Sequence, residues 1–168
     1  MELDIAMEAE WPGPSDWEEL AGRAADALIR MTPELANPRL SASLVFADDA
    51  EVQVLNREWR GKDKPTNVLS FPMLEREELL ALSADGPPEL LGDIALALET
   101  CAREAADKGI SLDHHATHLV VHGLLHLAGH DHELGPAEAR AMEELEIKAL
   151  ALLGIADPYG DHDSIEGL

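Results

Sequence analysis

The pattern of apolar and polar residues divides the chain into a first part rich in predicted strands and a second part rich in predicted helices. Four short segments have the alternation or the apolar content of β-strands. They are ELDIAME near the start of the chain, then LSASLVFA, TNVLSFP and LGDIALAL. The fourth segment is apolar on both faces, which is typical of a central strand that is covered on both sides.

Five segments have the residue spacing of helices, and they span about residues 16–31, 48–59, 99–108, 111–128 and 135–153. Ser15 and Glu18 are placed to form a capping box at the start of the first helix. Asp48 or Asp49 is placed to cap the second helix, and Gly61 is placed to end it. The boundaries of both helices are therefore predicted from capping residues as well as from periodicity.

Strands that precede a run of helices are typical of an α+β fold. The sequence predicts one domain over residues 1–156, with a small mixed four-stranded β-sheet and about five α-helices packed on it. Residues 73–90 are acidic and contain the sequence GPP, so they predict a variable excursion. Residues 157–168 predict a polar and disordered tail.

The composition favours a cytoplasmic protein. With 34 acidic and 12 basic residues, the net charge of −22 predicts repulsion from polyanions. No apolar stretch approaches the roughly 20 residues of a membrane span, and the N-terminal segment lacks the pattern of a signal peptide. The single cysteine, Cys101, excludes an internal disulfide and is expected in the core. The three tryptophans are expected to pack in the core or at its boundary: Trp11, Trp17 and Trp59.

One short segment, residues 57–64, is basic in spite of the overall acidity. It contains four of the twelve cations, Arg57, Arg60, Lys62 and Lys64, and is called the basic segment below. Two interpretations are open. The cations either form a solvated helix end, where positive charge is favourable, or they form a phosphate site on an acidic body.

The segment HGLLHLAGHDH, residues 122–132, contains half of the eight histidines. His122 and His126 are four residues apart on a predicted helix and therefore share one face. Two imidazoles on one face can bind one zinc ion at N–Zn distances of about 2.0–2.1 Å. His118 lies on the same face, but it is about 12 Å along the axis from His126 and cannot reach the same ion.

His132 completes the site if the helix ends after the second histidine. In a continuous helix it would lie about 9 Å beyond His126 and be rotated by about 120°. Gly129 lies where a turn is needed, because glycine adopts the left-handed conformation that ends many helices. Three protein nitrogens leave a fourth position for water, which is the pattern of catalytic zinc sites. The segment therefore predicts an open zinc site formed by His122, His126 and His132.

For two other polar residues of residues 122–132, the sequence leaves two roles open. Asp131 either orients a ligand imidazole by a hydrogen bond, without binding the metal itself, or caps the turn. His130 either substitutes for a ligand or lines the mouth of the site. Three further histidines are expected to be solvated or to belong to hydrogen-bond networks: His114, His115 and His118.

The histidine spacing equals that of the metzincin peptidases, H-E-x-x-H-x-x-G-x-x-H, and predicts a metzincin-like zinc-binding helix and turn. In those enzymes the glutamate is the general base, but Gly123 stands at that position here. Peptide hydrolysis is therefore disfavoured. A phosphodiester substrate fits better, because a metal ion polarises a phosphoryl oxygen and activates water while an arginine stabilises the developing charge.

Three segments resemble the signatures of the YbeY endoribonucleases, which are bacterial rRNA maturation factors. HGLLHLAGHDH resembles H-G-x-L-H-L-x-G-Y-D-H, and LNREWRGKDKPTNVLSFP at 55–72 resembles L-N-x-x-Y-R-x-K-D-x-P-T-D-V-L-S-F-P. LGDIALAL at 91–98 is similar to the L-G-D-I strand of that family. The three segments occur in the family's order and spacing, and the resemblance covers about residues 40–153.

The resemblance implies one zinc ion per chain, bound by His122, His126 and His132, and a catalytic arginine at Arg60. It implies a zinc-dependent, single-strand-specific endoribonuclease that matures the 3′ end of 16S rRNA and acts in ribosome quality control. Lys62 is then expected to guide the RNA strand, together with Lys64. Expected partners are precursor rRNA, the small ribosomal subunit, and a ribosomal protein or a ribosome-associated GTPase; neither a membrane nor DNA is expected.

Two positions depart from the family signatures, and a rival function follows from the charge. His130 stands where the family usually has Tyr, and Asn67 replaces a usual Asp. The net charge of −22 opposes the binding of naked RNA, because phosphate contacts normally dominate RNA affinity. The alternative is a ribosome assembly factor with little intrinsic nuclease activity, whose acidic surface contacts basic ribosomal proteins. A metallopeptidase is a less favoured third function.

Overall fold

The computed structural model describes residues 1–13 and 15–159, and for His132 it describes the backbone alone. These residues form four strands, six α-helices and two 3₁₀ helices. The strands are β1 (Glu2–Met7), β2 (Leu40–Ala47), β3 (Val68–Pro72) and β4 (Glu89–Ala97). The α-helices are α1 (Trp17–Met31), α2 (Asp49–Arg60), α3 (Arg76–Ala81), α4 (Leu98–Lys108), α5 (Leu112–Leu127) and α6 (Pro136–Leu152). The 3₁₀ helices are Pro33–Ala36 and His132–Leu134.

The four strands form one mixed sheet in the order β1-β2-β4-β3. Strands β1, β2 and β4 are parallel, and β3 is antiparallel to β4. The predicted α+β class and the mixed four-stranded sheet are thus confirmed. The fourth strand is central, as its apolar residues on both faces predicted, because it pairs with β2 on one side and with β3 on the other.

Strand β4 divides the core into two parts that lie on opposite faces of the sheet. Ile94 and Leu96 belong to the larger core, which is formed with α1, α5 and α6. Ala95 and Ala97 point to the other face and pack in a smaller cluster with Val52 of α2. Helix α5, which carries the histidine pair, therefore covers one face of the sheet, and α2, which leads into the basic segment, covers the other.

One local prediction was wrong, the capping box at the start of α1. Helix α1 is capped by Asp16, whose side chain accepts a hydrogen bond from the Glu19 backbone N–H at 3.1 Å. The Ser15 hydroxyl does not cap the helix, because it donates to the Asp113 carboxylate of α5 instead. A pattern that is local in sequence cannot reveal this competing partner, since 98 residues separate the two side chains.

The acidic excursion contains regular structure that its composition did not predict. Helix α3 forms within it, and a capping box between Glu75 and Glu78 stabilises its start. Leu79 is 3% exposed and packs in the larger core. The helix is only six residues long, too short for its one buried leucine to produce a helical pattern in an acidic segment.

Two further predictions concern membrane-spanning segments and the C-terminal tail. No helix formed by residues 1–13 and 15–159 is long and apolar enough to cross a membrane. Of the predicted disordered tail, residues 160–168 lie outside the described residues. Tyr159, at the start of that tail, contacts α5 and α6 through its hydroxyl.

Candidate metal centre

Helix α5 holds two histidines of the predicted site, and its packing fixes their direction. The Ser111 side chain caps the helix by accepting a hydrogen bond from the His114 backbone N–H. Gly123 is buried against the sheet: a Cβ atom there would lie 3.0 Å from Cδ1 of Ile94 in β4. The face of α5 that contains Gly123 therefore packs against the sheet, whereas the side chains of His122 and His126 remain partly exposed.

The imidazoles of His122 and His126 lie together, with ring centroids 5.3 Å apart and planes at 58°. Two imidazoles that bind one zinc ion at about 2.0–2.1 Å, with a tetrahedral angle between the bonds, have their centroids about 5 Å apart. The observed separation therefore fits a shared zinc ion. Neutral imidazole nitrogen is also a preferred donor for this metal.

The end of α5 has the turn that the sequence predicted at Gly129. The Gly129 N–H donates to the His126 carbonyl and the His130 N–H donates to the Leu125 carbonyl, each at 3.0 Å. This pair of bonds is the Schellman motif, and it places Gly129 at a φ of +95°. The chain therefore turns immediately after the second histidine instead of continuing the helix.

Arg76 of α3 clamps this turn, and it is a residue that the sequence analysis missed. Its Nη1 donates to the carbonyl oxygen of Ala128 at 2.7 Å, and its Nη2 pairs with Oε2 of Glu34 at 3.0 Å. A Cβ atom on Gly129 would lie 2.5 Å from Cβ of Arg76. Arg76 thus satisfies a carbonyl at the helix end, and its close approach requires glycine at residue 129.

The turn leads directly to the position of the third predicted ligand. Asp131 caps the second 3₁₀ helix, because its side chain accepts the Glu133 backbone N–H at 2.9 Å. His132 is the first residue of that helix, and its side chain lies outside the described residues. In the part of the chain that is described, no three His, Cys, Asp or Glu side chains are grouped so that they could hold a metal ion. The role of His132 as a ligand therefore stays a prediction.

His130 lies between the turn and α3. Its Nε2 atom is buried and has no hydrogen-bond partner among the described residues. Burial lowers the pKa of His130, and the nearby Arg76 lowers it further, while Glu34 opposes the change. The imidazole is therefore favoured in its neutral form, which leaves both of its predicted roles open.

The most buried charged group of the site, Glu146 of α6, was also missed. Its Oε1 lies 2.5 Å from Nε2 of His118, and its Oε2 lies 3.4 Å from Nδ1 of His122. The Tyr159 hydroxyl donates to Oε1 at 2.9 Å. Burial raises the pKa of the Glu146 carboxyl, but the hydrogen bonds from His118 and His122 outweigh burial and lower this pKa to about 2. The group is therefore a carboxylate at neutral pH.

A second carboxylate–imidazole pair joins α5 to α4. His115 is buried, and its Nε2 lies 2.8 Å from Oε1 of Glu104 in α4. Burial lowers the pKa of His115, while the bond to Glu104 opposes this. Asn67 donates to the same Glu104 oxygen at 3.0 Å. An aspartate at residue 67 would instead oppose a second carboxylate, which explains physically why asparagine suits this chain.

The basic segment begins in the last turn of α2, on the other face of the sheet, and continues into the loop beyond that helix. The buried Asn56 folds it back, because its side-chain amide donates to the Lys64 carbonyl at 2.8 Å and its backbone carbonyl accepts the Lys62 N–H. The side chain of Arg60 is exposed and has no hydrogen bond or ion pair with any described residue. Lys62 and Lys64 are exposed as well. The four cations are thus held at the surface, and no described contact links them to His122 or His126.

The tryptophans and the cysteine divide between core and surface. Trp11 and Trp17 are 7% and 6% exposed and pack on Phe46, as predicted. Trp59 is 72% exposed, so the expectation of core or boundary packing was wrong for this residue. Cys101 is fully buried, and burial raises the pKa of its thiol to about 12, which leaves it in the unreactive protonated form.

Comparison with known proteins identifies close relatives over nearly the whole chain. A family model described as Endoribonuclease YbeY matches residues 10–154. Two proteins named Endoribonuclease YbeY are similar to this chain. The one from Erythrobacter litoralis is 64% identical, with 96% of this chain and 99% of the relative covered. The one from Novosphingobium aromaticivorans is 62% identical, with 96% and 97% covered.

A solved structure shares the fold. The solution structure of TM1509 from Thermotoga maritima superposes on this chain with a TM-score of 0.58. The two chains are 23% identical, and the superposition covers 96% of this chain and 92% of that one. At this identity the likeness supports the α+β architecture described above.

Proposed function

Because the chain belongs to the YbeY endoribonuclease family, we propose that it is a zinc-dependent endoribonuclease that cuts single-stranded RNA. One zinc ion per chain is bound by His122, His126 and His132. The observation that carries this proposal is the pair of imidazoles 5.3 Å apart, immediately before a turn that leads to the third histidine. The zinc ion, when bound, polarises a phosphoryl oxygen and lowers the pKa of a water molecule.

The protein's own side chains bind the RNA strand. Arg60 contacts a phosphate and neutralises the charge that develops during cleavage, and Lys62 and Lys64 guide the strand. In support, Arg60 has no ion-pair partner among the described residues, so its charge is available to a ligand. The exposed indole of Trp59 precedes Arg60 and offers a face on which an unpaired base can stack. The exposed indole suits single strands better than a duplex, whose bases are already stacked on one another.

The biological role of this activity follows from the family. We propose that the protein acts in the cytoplasm, matures the 3′ end of 16S rRNA and takes part in ribosome quality control. The net charge of −22 favours recruitment through the small ribosomal subunit, with a basic ribosomal protein or a ribosome-associated GTPase as the protein partner. The same charge also supports the second candidate, an assembly factor with little intrinsic nuclease activity.

Removal of one imidazole tests the metal site. We expect His126→Ala to bind zinc at least about 100-fold more weakly than the intact protein and to lose RNA cleavage with it, because two nitrogens cannot retain the ion. Zinc content by elemental analysis and cleavage of a single-stranded RNA are measured on the same samples. His114→Ala is the matched control, since His114 is exposed on the same helix. Full cleavage by a metal-free preparation would reject the zinc mechanism.

Removal of the arginine distinguishes the two candidate functions. We expect Arg60→Ala to reduce RNA cleavage by roughly 100-fold while zinc content is unchanged, because the lost group neutralises phosphate charge. Arg57→Ala is the matched control: it removes a cation from the same segment, but Arg57 pairs with Asp63 at 3.8 Å. If Arg60→Ala still supports rRNA maturation in cells, Arg60 has no catalytic role, and the assembly-factor function is favoured.

A further inference from the structure

Glu146 is a buried carboxylate that bridges two histidines of α5. It is 1% exposed, and it extends from α6 to His118 and His122, which are one turn apart. A buried charge without compensation is strongly unfavourable, so such a group persists where its partners are fixed. Here the partners are two imidazoles and the Tyr159 hydroxyl. Only one of these imidazoles belongs to the predicted zinc site.

The contact between Glu146 and His122 determines which nitrogen of His122 carries the proton. A carboxylate oxygen accepts hydrogen bonds and cannot donate them. The Oε2 atom lies 3.4 Å from Nδ1 of His122, so in the neutral ring Nδ1 carries the hydrogen and Nε2 carries the lone pair. The nitrogen that remains for a metal ion is therefore Nε2.

The other carboxylate oxygen is held by two further groups. Nε2 of His118 and the hydroxyl of Tyr159 both approach Oε1, at 2.5 and 2.9 Å. With Oε1 fixed on this side, Oε2 is directed to His122. His118, which lies too far along the helix to bind the same ion as His126, thus orients the carboxylate instead of binding the metal.

We propose that Glu146 is a positioning residue of the zinc site, which holds His122 in the Nδ1–H tautomer and directs its Nε2 atom to the metal. This inference rests on the zinc site of the proposed function and names a residue outside its ligand set. Carboxylates that accept the second N–H of a ligating histidine fix the ring and increase its basicity, and their loss typically weakens metal binding 10–100-fold. Glu146 also supplies negative charge next to the cation.

The test compares two carboxylates that contact α5. We expect Glu146→Gln to weaken zinc binding roughly 10–100-fold in competition with a chromophoric chelator. Glu104→Gln is the matched control, because Glu104 forms a similar bond with His115, which is two turns before His122 and outside the ligand set. The control is expected to bind zinc as the intact protein does. Circular dichroism and thermal melting confirm that both metal-free variants are folded.

A measurement on the intact protein keeps the proposal testable even if Glu146→Gln fails to fold. Long-range ¹H–¹⁵N correlation spectra of the metal-free protein report which imidazole nitrogen is protonated. We expect Nδ1–H for His122, and a spectrum with Nε2–H would overturn the proposal. Unchanged zinc affinity in folded Glu146→Gln, or equal weakening in Glu104→Gln, would overturn it as well.

These results also separate the inference from the proposed function. If the intact protein binds zinc and cleaves RNA while Glu146→Gln keeps full affinity, the positioning role alone is wrong. If the intact protein binds no zinc, the proposed zinc site is wrong, and the proposed role of Glu146 is then wrong as well.

Discussion

Gly123→Glu is expected to unfold the protein rather than to convert it into a peptidase. The substitution supplies the glutamate that metzincins have between their first two histidines. In this protein, however, residue 123 is buried, and its Cβ position lies 3.0, 3.2 and 3.3 Å from three carbons of Ile94. A carboxylate there would enter the core between α5 and β4 without a partner. We expect a loss of about 4 kcal/mol or more in the free energy of unfolding.

The measurement is urea unfolding followed by circular dichroism, together with a peptide-cleavage assay. Gly123→Ala is the control for size without charge. Ile94 must then move by a few tenths of an ångström, which costs about 1–2 kcal/mol and is partly offset by the better helix propensity of alanine. A folded Gly123→Glu protein that cleaves peptides would show that residue 123 faces the metal and would revive the peptidase function.

Gly129→Ala is expected to have the second-largest effect, because it combines backbone strain with a steric clash. The φ of +95° is unfavourable for any residue with a side chain, at a cost of about 1–2 kcal/mol. The new Cβ would also lie 2.5 Å from Cβ and 3.1 Å from Cα of Arg76. These atoms belong to the start of α3 and cannot rotate away. We expect a total loss of about 3–4 kcal/mol and weaker zinc binding, because the turn toward residue 132 is displaced.

Gly109→Ala is a matched control for this prediction. Gly109 also ends a helix in the left-handed conformation, with a φ of +69°, but no atom of the described residues other than its chain neighbours lies within 4 Å of the position of its Cβ. The difference between the two variants in denaturant unfolding therefore isolates the contact with Arg76. Equal losses of stability would mean that Arg76 can move away and does not hold the turn.

The parts of the fold that follow from local patterns were predictable from the sequence. Strand β4 was predicted to be central because it is apolar on both faces. Helix α2 begins after the Asp48 cap and ends at Gly61, as its capping residues indicated. The same logic predicted the turn at Gly129, since a third histidine at this spacing requires the helix to end. Each of these predictions needs only residues that are neighbours in sequence.

The residues that hold the candidate site in place, Arg76 and Glu146, were not predictable, because their contacts join distant segments of the chain. Arg76 and Ala128 are 52 residues apart in sequence, and Glu146 is 24 residues from His122. One signal for Glu146 did exist in the sequence. It lies four residues after Met142 and four before Leu150, both fully buried, so it shares the apolar face of α6. A lone acidic residue on such a face indicates a buried partner, but it does not tell which one.

The contact of Tyr159 with Glu146 also limits how far the protein can be truncated at its C-terminus. A domain limit at residue 156, as composition indicates, would remove the hydroxyl that donates to Glu146. A protein shortened to that limit would keep all the strands and helices described above and all four histidines of residues 122–132, yet it would leave the buried carboxylate one donor short. The contacts of the folded part therefore extend at least three residues beyond the compositional limit.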